Sequence, residues 1–196
     1  EGKYFVSFIR LNELGLSGTL TDKLPQMEYM AGFDFGQNSF SGAIPDIFGS
    51  SHIYNKNWEE ARFSDNQFTS MPTDFSGLTQ MMYFFADGNN MYMDKIPEGL
   101  ASITSLEVLI LNDNYFYEGT VPSQLQAARG LFGFECYNCN LKGSIPWDAF
   151  GSSVEYLILS DNELTGTISP DFGTTAQYLM YMFLDNNDLT GAIPAS

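Results

Sequence analysis

The chain has 196 residues, enough for one substantial hydrophobic core, and its 44% hydrophobic content sets it apart from disordered polymers. Twenty-four acidic residues against eight basic ones leave a formal charge of −16, which repels phosphate backbones and anionic lipid head groups, so nucleic acid is excluded as a natural partner. The longest apolar runs, such as Met81 to Ala86 and Leu106 to Leu111, fall far short of the roughly 18 residues a membrane span needs, and no transmembrane segment is expected.

The N-terminal stretch EGKYFVSFIR has neither an initiating Met nor a signal-like apolar run, and reads as a processed form or as part of a longer protein. A first strand is expected at Phe8 to Arg10. From there a phrase recurs: Phe33-x-Phe35-x-x-Asn38-x-Phe40-x-Gly42-x-Ile44, then Leu157-x-Leu159-x-x-Asn162-x-Leu164-x-Gly166-x-Ile168, then Met182-x-Leu184-x-x-Asn187-x-Leu189-x-Gly191-x-Ile193. Aligned on the amide, Leu14, Asn38, Asn66, Asn89, Asn114, Cys139, Asn162 and Asn187 share one phase. Steps of 23 to 28 residues separate them, and the eight prolines fall one to a repeat. Fixed periods of this length mean a stacked array. About eight repeats fill residues 1–196 as a single domain, with an insertion around Ser50 to Asn57 placed on a loop.

Each repeat is expected to begin with a short strand whose alternate residues point inward, such as Leu157 and Leu159. A buried turn then leaves backbone donors and acceptors without strand partners, and a side-chain amide can serve both. Asn38, Asn66, Asn89, Asn114, Asn162 and Asn187 are therefore expected to stack as a ladder, with Cys139 standing in as a small, buried, weakly donating thiol. Leu24, Phe48, Phe75, Leu100, Leu125 and Phe172 share one register and are expected to point inward from the opposite side, with Phe150 displaced from it by one residue.

These motifs resemble the leucine-rich repeat family, and the Gly-x-Ile-Pro ending resembles its plant-type subclass. The resemblance covers the whole chain, with the phased glycine and following Ile or Leu at Gly18/Leu20, Gly42/Ile44, Gly143/Ile145, Gly166/Ile168 and Gly191/Ile193. It implies an α/β solenoid: a curved right-handed superhelix with a parallel sheet on the concave face and short 3-10 or irregular turns on the convex face. The chain departs from the family in using Phe and Met where Leu is usual, in Leu14 at the first amide position, and in lacking cysteine-bearing caps. A C-terminus at GAIPAS without a polar cap is expected to continue or to be covered.

Candidate chemistry is sparse. His52, the one histidine, lies in the insertion without a phased nucleophile or acid and reads as an exposed loop residue. Cys136 and Cys139 occupy an inward strand position and the ladder position, and read as buried structural thiols rather than a redox pair. Glu13, Asp65, Asp87, Asp113, Asp161 and Asp185 could line a cation stripe, but no repeat gathers the six to eight oxygens calcium needs, so a solvated rim is expected and no metal. No glycine-rich phosphate loop, cofactor motif or catalytic constellation is present, and no enzyme is expected.

The outward strand positions are more informative. They are Phe8 and Arg10, Gly32 and Asp34, Glu60 and Arg62, Tyr83 and Phe85, Val108 and Ile110, Gly133 and Glu135, Tyr156 and Ile158, and Tyr181 and Phe183. Tyr83, Phe85, Val108 and Ile110 are expected to form one apolar patch on the concave face, and Tyr156, Ile158, Tyr181 and Phe183 another. Such patches mark protein contacts, whereas cross-strand pairing alone would serve only the sheet. A flat Thr array suited to ice is absent. The reading is a non-enzymatic module, receptor-like or secreted, that binds a protein or peptide on this face. The alternative is a permanent peripheral subunit of a larger complex, for example on the lumenal side of an organellar photosynthetic membrane, which the absence of any Asn-x-Ser/Thr sequon favours. The corresponding compartments are extracellular or organelle-lumenal.

Overall fold

The computed structural model describes residues 6–24, 29–51 and 57–194. Each repeat contributes two short strands. In chain order these are β1 (Phe8–Arg10) and β2 (Ser17–Gly18), β3 (Gly32–Asp34) and β4 (Ser39–Ala43), β5 (Glu60–Arg62) and β6 (Gln67–Ser70), and β7 (Tyr83–Phe85) and β8 (Tyr92–Met93). They continue as β9 (Val108–Ile110) and β10 (Tyr115–Phe116), β11 (Gly133–Glu135) and β12 (Lys142–Ser144), β13 (Tyr156–Ile158) and β14 (Glu163–Gly166), and β15 (Tyr181–Phe183) and β16 (Asp188–Leu189). The odd-numbered strands form one eight-stranded parallel sheet in sequence order. Each is three residues long, and the outward pairs expected from sequence lie opposite one another, as in Tyr83↔Val108↔Gly133↔Tyr156↔Tyr181.

The even-numbered strands go beyond the sequence expectation. They follow the amide turn and pair in three separate parallel groups, β2-β4-β6, β8-β10 and β12-β14-β16, making a second, flanking face. The side opposite the main sheet carries short helical turns: α1 (Glu98–Ala101), α2 (Phe172–Thr175), and 3-10 turns at Ser123–Ala127 and Trp147–Ala149.

Between the faces lies one continuous core, rich in aromatic rings through the second to fourth repeats. Phe48 and Phe75, from the convex side, stack at 5.3 Å between centroids, and both meet the strand residue Phe84 edge-on at 6.1 and 5.7 Å. Offset and edge contacts of this kind add to simple area burial, so Phe fills here the space that Leu106, Leu109, Leu111 and Leu125 fill in the next repeat. Leu100 and Phe172 are buried as expected, the displaced Phe150 is buried as well, and Leu24 is half-buried in the first repeat. His52 lies outside the described residues. Nearby, the fully buried Trp58 has no hydrogen-bond partner for its Nε1 among the described residues.

One residue per repeat, just before the amide position, adopts positive φ between 52° and 60°: Glu13, Gln37, Asp65, Gly88, Asp113, Asn138, Asp161 and Asn186. Left-handed backbone is costly for most L-residues but tolerated by Asn, Asp and Gly. This accounts for Asp65, Asp113 and Asp161 at that phase, whereas Asp87 and Asp185 sit one residue earlier and do not share it.

Candidate functional site: the sheet face and its supporting ladder

The turn beneath the sheet is held by side-chain amides. Asn66 Nδ2 donates towards Phe35 O, Phe63 O and Ser64 O at 3.0–3.1 Å, and its Oδ1 accepts from Phe40 N at 3.0 Å. Asn38, Asn89, Asn114, Asn162 and Asn187 repeat the pattern, each reaching its own repeat and the preceding one. The donors serve carbonyls just past the inward strand residues, so the ladder ties every turn to its neighbour and sets the spacing of the face above.

At Cys139 the arrangement changes. Cys136 and Cys139 form a disulfide, with Cα atoms 5.7 Å apart, which corrects the expectation of two thiols. The Cys139 sulfur lies 3.3 Å from Leu111 O and 3.4 Å from Tyr137 O, where an amide would donate, but a disulfide sulfur carries no hydrogen. The backbone compensates on the acceptor side: Phe116 N donates to Cys139 O at 3.0 Å, where other repeats use the amide oxygen. The pairing follows from geometry that the spacing alone left open, because the strand position and the ladder position converge on the same interior space.

On the exposed side of the sheet, the outward residues fall into two aligned columns. Arg62 lies with its guanidinium 4.1 Å from the Phe85 ring centroid and pairs with Glu60. Tyr83 donates its hydroxyl to Glu107 Oε2 at 2.8 Å. Tyr156 and Tyr181 stack at 5.5 Å with planes 12° apart, and Phe183 meets Tyr181 at 6.1 Å. Tyr181 and Phe183 are about half exposed, at 50% and 48%. Val108 differs from expectation: at 9% exposure it leans towards Gly133, where an added Cβ would lie 3.5 Å from its methyl group, and it offers little surface to a partner. Tyr83, Phe85, Ile110, Tyr156 and Ile158 are half-buried. The two apolar patches are separated by Gly133 and by Glu135, whose carboxylate accepts from Asn112 Nδ2 at 2.9 Å.

Beside the columns runs a line of polar contacts at the strand ends. Ser64 donates to Asp87 and Ser160 to Asp185, both at 2.6 Å, and Tyr137 donates to Asp113 at 2.8 Å. Burial pushes the Asp87 carboxyl up from its ordinary value, against the opposing pull of the Ser64 hydrogen bond. The bond to Asp113, with burial added, pushes the Tyr137 hydroxyl up to about 12. These carboxylates are thus engaged by protein donors, and among the described residues no group of three or more His, Cys, Asp or Glu side chains is placed to hold a metal ion.

Two features escape the sequence reading. Tyr92, Tyr115 and Tyr117 gather on the flanking face, with Tyr92 stacked on the other two at 5.2 and 5.1 Å; their strand pairing is invisible without β8 and β10. The second is the row immediately before the main strands, Glu59, Met82, Glu107, Phe132, Glu155 and Met180. Backbone bonds continue the sheet through this row, from Met82 N to Glu59 O and onward to Met180 N to Glu155 O, each 2.8–2.9 Å. A column one residue ahead of the outward pairs would have revealed it.

A solenoid of parallel strands with amide-tied turns and an exposed, mixed aromatic and charged sheet defines a repeat scaffold built to present a surface. Comparison with known proteins gives the class. The Leucine Rich Repeat family model matches residues 153–175. The chain is 28% identical to the receptor-like kinase TMK2 of Arabidopsis thaliana over 180 residues, covering 89% of this chain and 17% of that protein. Among solved structures it is similar to a plant peptide hormone receptor, RGFR1 in complex with RGF2, with 28% identity and a TM-score of 0.82 over 92% of this chain and 28% of that one. It is also similar to the Arabidopsis receptor kinase HAESA in complex with the peptide hormone IDA and the co-receptor SERK1, with 28% identity and a TM-score of 0.81 over 94% of this chain and 30% of that one. The chain therefore spans less than a fifth of that curated relative and under a third of these structures. It is a leucine-rich repeat protein of the plant type.

Proposed function

We propose that this chain is a non-enzymatic recognition module that holds a peptide or protein on the main sheet. The observation that carries the reading is the half-exposed Tyr181 and Phe183 pair, backed by Tyr156, on a face that nothing else in the described residues covers. Ring surface left in water on a rigid sheet is the composition of binding hot spots. The peptide hormone complexes of RGFR1 and HAESA support the same use of the fold. Tyr83, Phe85, Ile110, Tyr156, Ile158, Tyr181 and Phe183 carry contact, with Val108 filling beneath them.

The receptor relatives support an extracellular setting for this chain, and the disulfide fits it, since disulfides persist in oxidising compartments. The alternative of a subunit in an organellar membrane complex gains nothing from the comparisons. No helix among the described residues is long and apolar enough to cross a membrane.

The test is a display selection of random twelve-residue peptides against the chain, followed by rebinding to a Tyr181→Ser/Phe183→Ser variant. Binders that lose at least tenfold in affinity on the variant support the reading. Binders that all ignore the substitutions refute the assignment of the sheet face.

A further inference from the structure

Tyr92, Tyr115 and Tyr117 lie away from the main sheet, on consecutive repeats joined by the pairing of β8 with β10. The Tyr92 ring is 5.2 Å from that of Tyr115, with planes 6° apart, and 5.1 Å from that of Tyr117, with planes 29° apart. All three are open to solvent, at 67%, 44% and 38% exposure. Other tyrosines have one of these properties without the other. Tyr178 is as exposed as Tyr92, but among the described residues no ring pairs with it. Tyr156 stacks on Tyr181, but Tyr156 is half-buried and the pair belongs to the candidate binding face.

The cluster also sits at a break in the flanking sheet. β8 and β10 pair as strands only with each other, between the groups β2-β4-β6 and β12-β14-β16. The next turn beyond β10 is the one in which the Cys136–Cys139 disulfide replaces the ladder amide. A tie between the repeats of Tyr92 and Tyr115 therefore falls where the flanking face has no continuous strand pairing.

We infer that Tyr92 is an oxidative cross-linking site, where a carbon–carbon bond to the ring of Tyr115 or Tyr117 braces this break when a haem peroxidase and hydrogen peroxide are present. Each of two phenols gives up one electron and its hydroxyl proton to become a phenoxyl radical. The two unpaired electrons then form one bond between ring carbons ortho to the oxygens, and the hydrogens on those carbons move to the oxygens and restore both hydroxyls. Two electrons and two protons leave the protein in all, and one hydrogen peroxide takes them up to become two waters. Exposure gives the oxidant access and leaves the Tyr92 ring room to turn from the stacked to the joined arrangement. Proximity supplies the selectivity, since radicals held on adjacent repeats need no encounter between molecules. The closed loop restricts the unfolded chain in the way a disulfide does. The inference takes its oxidant from the extracellular setting proposed above and needs nothing from peptide binding.

The experiment treats the intact chain at high dilution with a haem peroxidase and hydrogen peroxide, isolates the monomer by size exclusion, and digests it with trypsin for mass spectrometry. The expected product joins the segments Phe63–Lys95 and Ile96–Arg129 with the loss of two hydrogen atoms. Tyr83 lies in the first of these segments, so the Tyr92→Phe variant decides the site. That variant keeps a ring in the stack and should lose the joined product, whereas Tyr181→Phe should retain it. The linked monomer should also melt at a higher temperature than Tyr92→Phe treated alike. Monomer without joined segments, a link that persists in Tyr92→Phe, cross-linked dimers as the sole product, or a linked monomer that melts no higher would each overturn the inference.

Discussion

Tyr137 donates its hydroxyl hydrogen to Asp113 Oδ2 at 2.8 Å, one repeat away, while Asn138 Nδ2 holds the other oxygen of the same carboxylate at 2.7 Å. The bond spans the repeat in which the amide is replaced by Cys139, and so supplies a tie between turns where the ladder lacks a donor. Its cost appears at high pH. The folded-state hydroxyl is pushed up to about 12, against about 10 in an unfolded chain. A raised pKa contributes stability that is complete below pH 10 and is lost as pH rises towards 12. Tyr83, raised in the same direction by its bond to Glu107, acts in the same sense. Urea midpoints measured from pH 8 to 12 should fall above pH 10, and Tyr137→Phe should flatten that fall while lowering the midpoint at pH 8.

Asp87 is the opposite case within the same line of contacts. Burial raises its carboxyl, with the nearby Asp65 and Asp113 adding to the effect, so ionising it at neutral pH works against the fold. By the same sign rule, the native state is favoured below the unfolded value, near 4, and loses that advantage as pH rises through the folded one. Asp87→Asn retains an acceptor for Ser64 and should raise Tm at pH 7 by about 2 °C, the scale of a sub-kcal/mol change in a chain of this size. The gain should shrink towards pH 3, as a calorimetric pH series would show.

Asn66 is 8% exposed and serves three carbonyls and one amide across two repeats. Removing its amide strands several buried backbone groups, each worth about 1–3 kcal/mol when left without a partner, and Asn66→Ala should cost about 4 kcal/mol in urea unfolding. Asn187, half-buried, should cost less on the same substitution, about 1–2 kcal/mol, because water can replace the lost partner.

The broken rung at Cys139 can be repaired. In a Cys136→Ala background, Cys139→Asn places an amide where the sulfur now stands near Leu111 O and Tyr137 O. This variant should exceed the matching Cys136→Ala/Cys139→Ala chain by about 1–2 kcal/mol in unfolding free energy. Equal stabilities would show that the backbone bond from Phe116 N to Cys139 O has already replaced the ladder function at this turn.

Binding and stability should separate across the sheet. Tyr181→Ser and Phe183→Ser, at half-exposed positions, should each change stability by less than about 1 kcal/mol while removing peptide binding. Val108→Ser, at a covered position in the same column, should cost about 1–2 kcal/mol and leave binding nearly unchanged. Thermal melts paired with anisotropy titrations on the three variants distinguish a binding face from one whose aromatic pairs serve only the sheet.

The repeat period, the main strands and the amide positions were legible because each is local and recurs. Phe33, Phe35 and Asn38 carry the same spacing as Leu157, Leu159 and Asn162, and a three-residue strand needs only alternation to declare its two faces. Stacking identical units then places neighbouring columns side by side, which is why the pairing Tyr83↔Val108 or Tyr156↔Tyr181 could be read from phase alone. What the tertiary structure decided depends on distances between units rather than on spacing within them. Val108 is buried although it holds an outward position of the sheet, the sulfurs of Cys136 and Cys139 meet because two inward positions converge, and Tyr92 stacks on Tyr115 because a second set of strands brings their repeats together. Exposure, disulfide closure and ring stacking are properties of shared space, and a one-dimensional period cannot specify them.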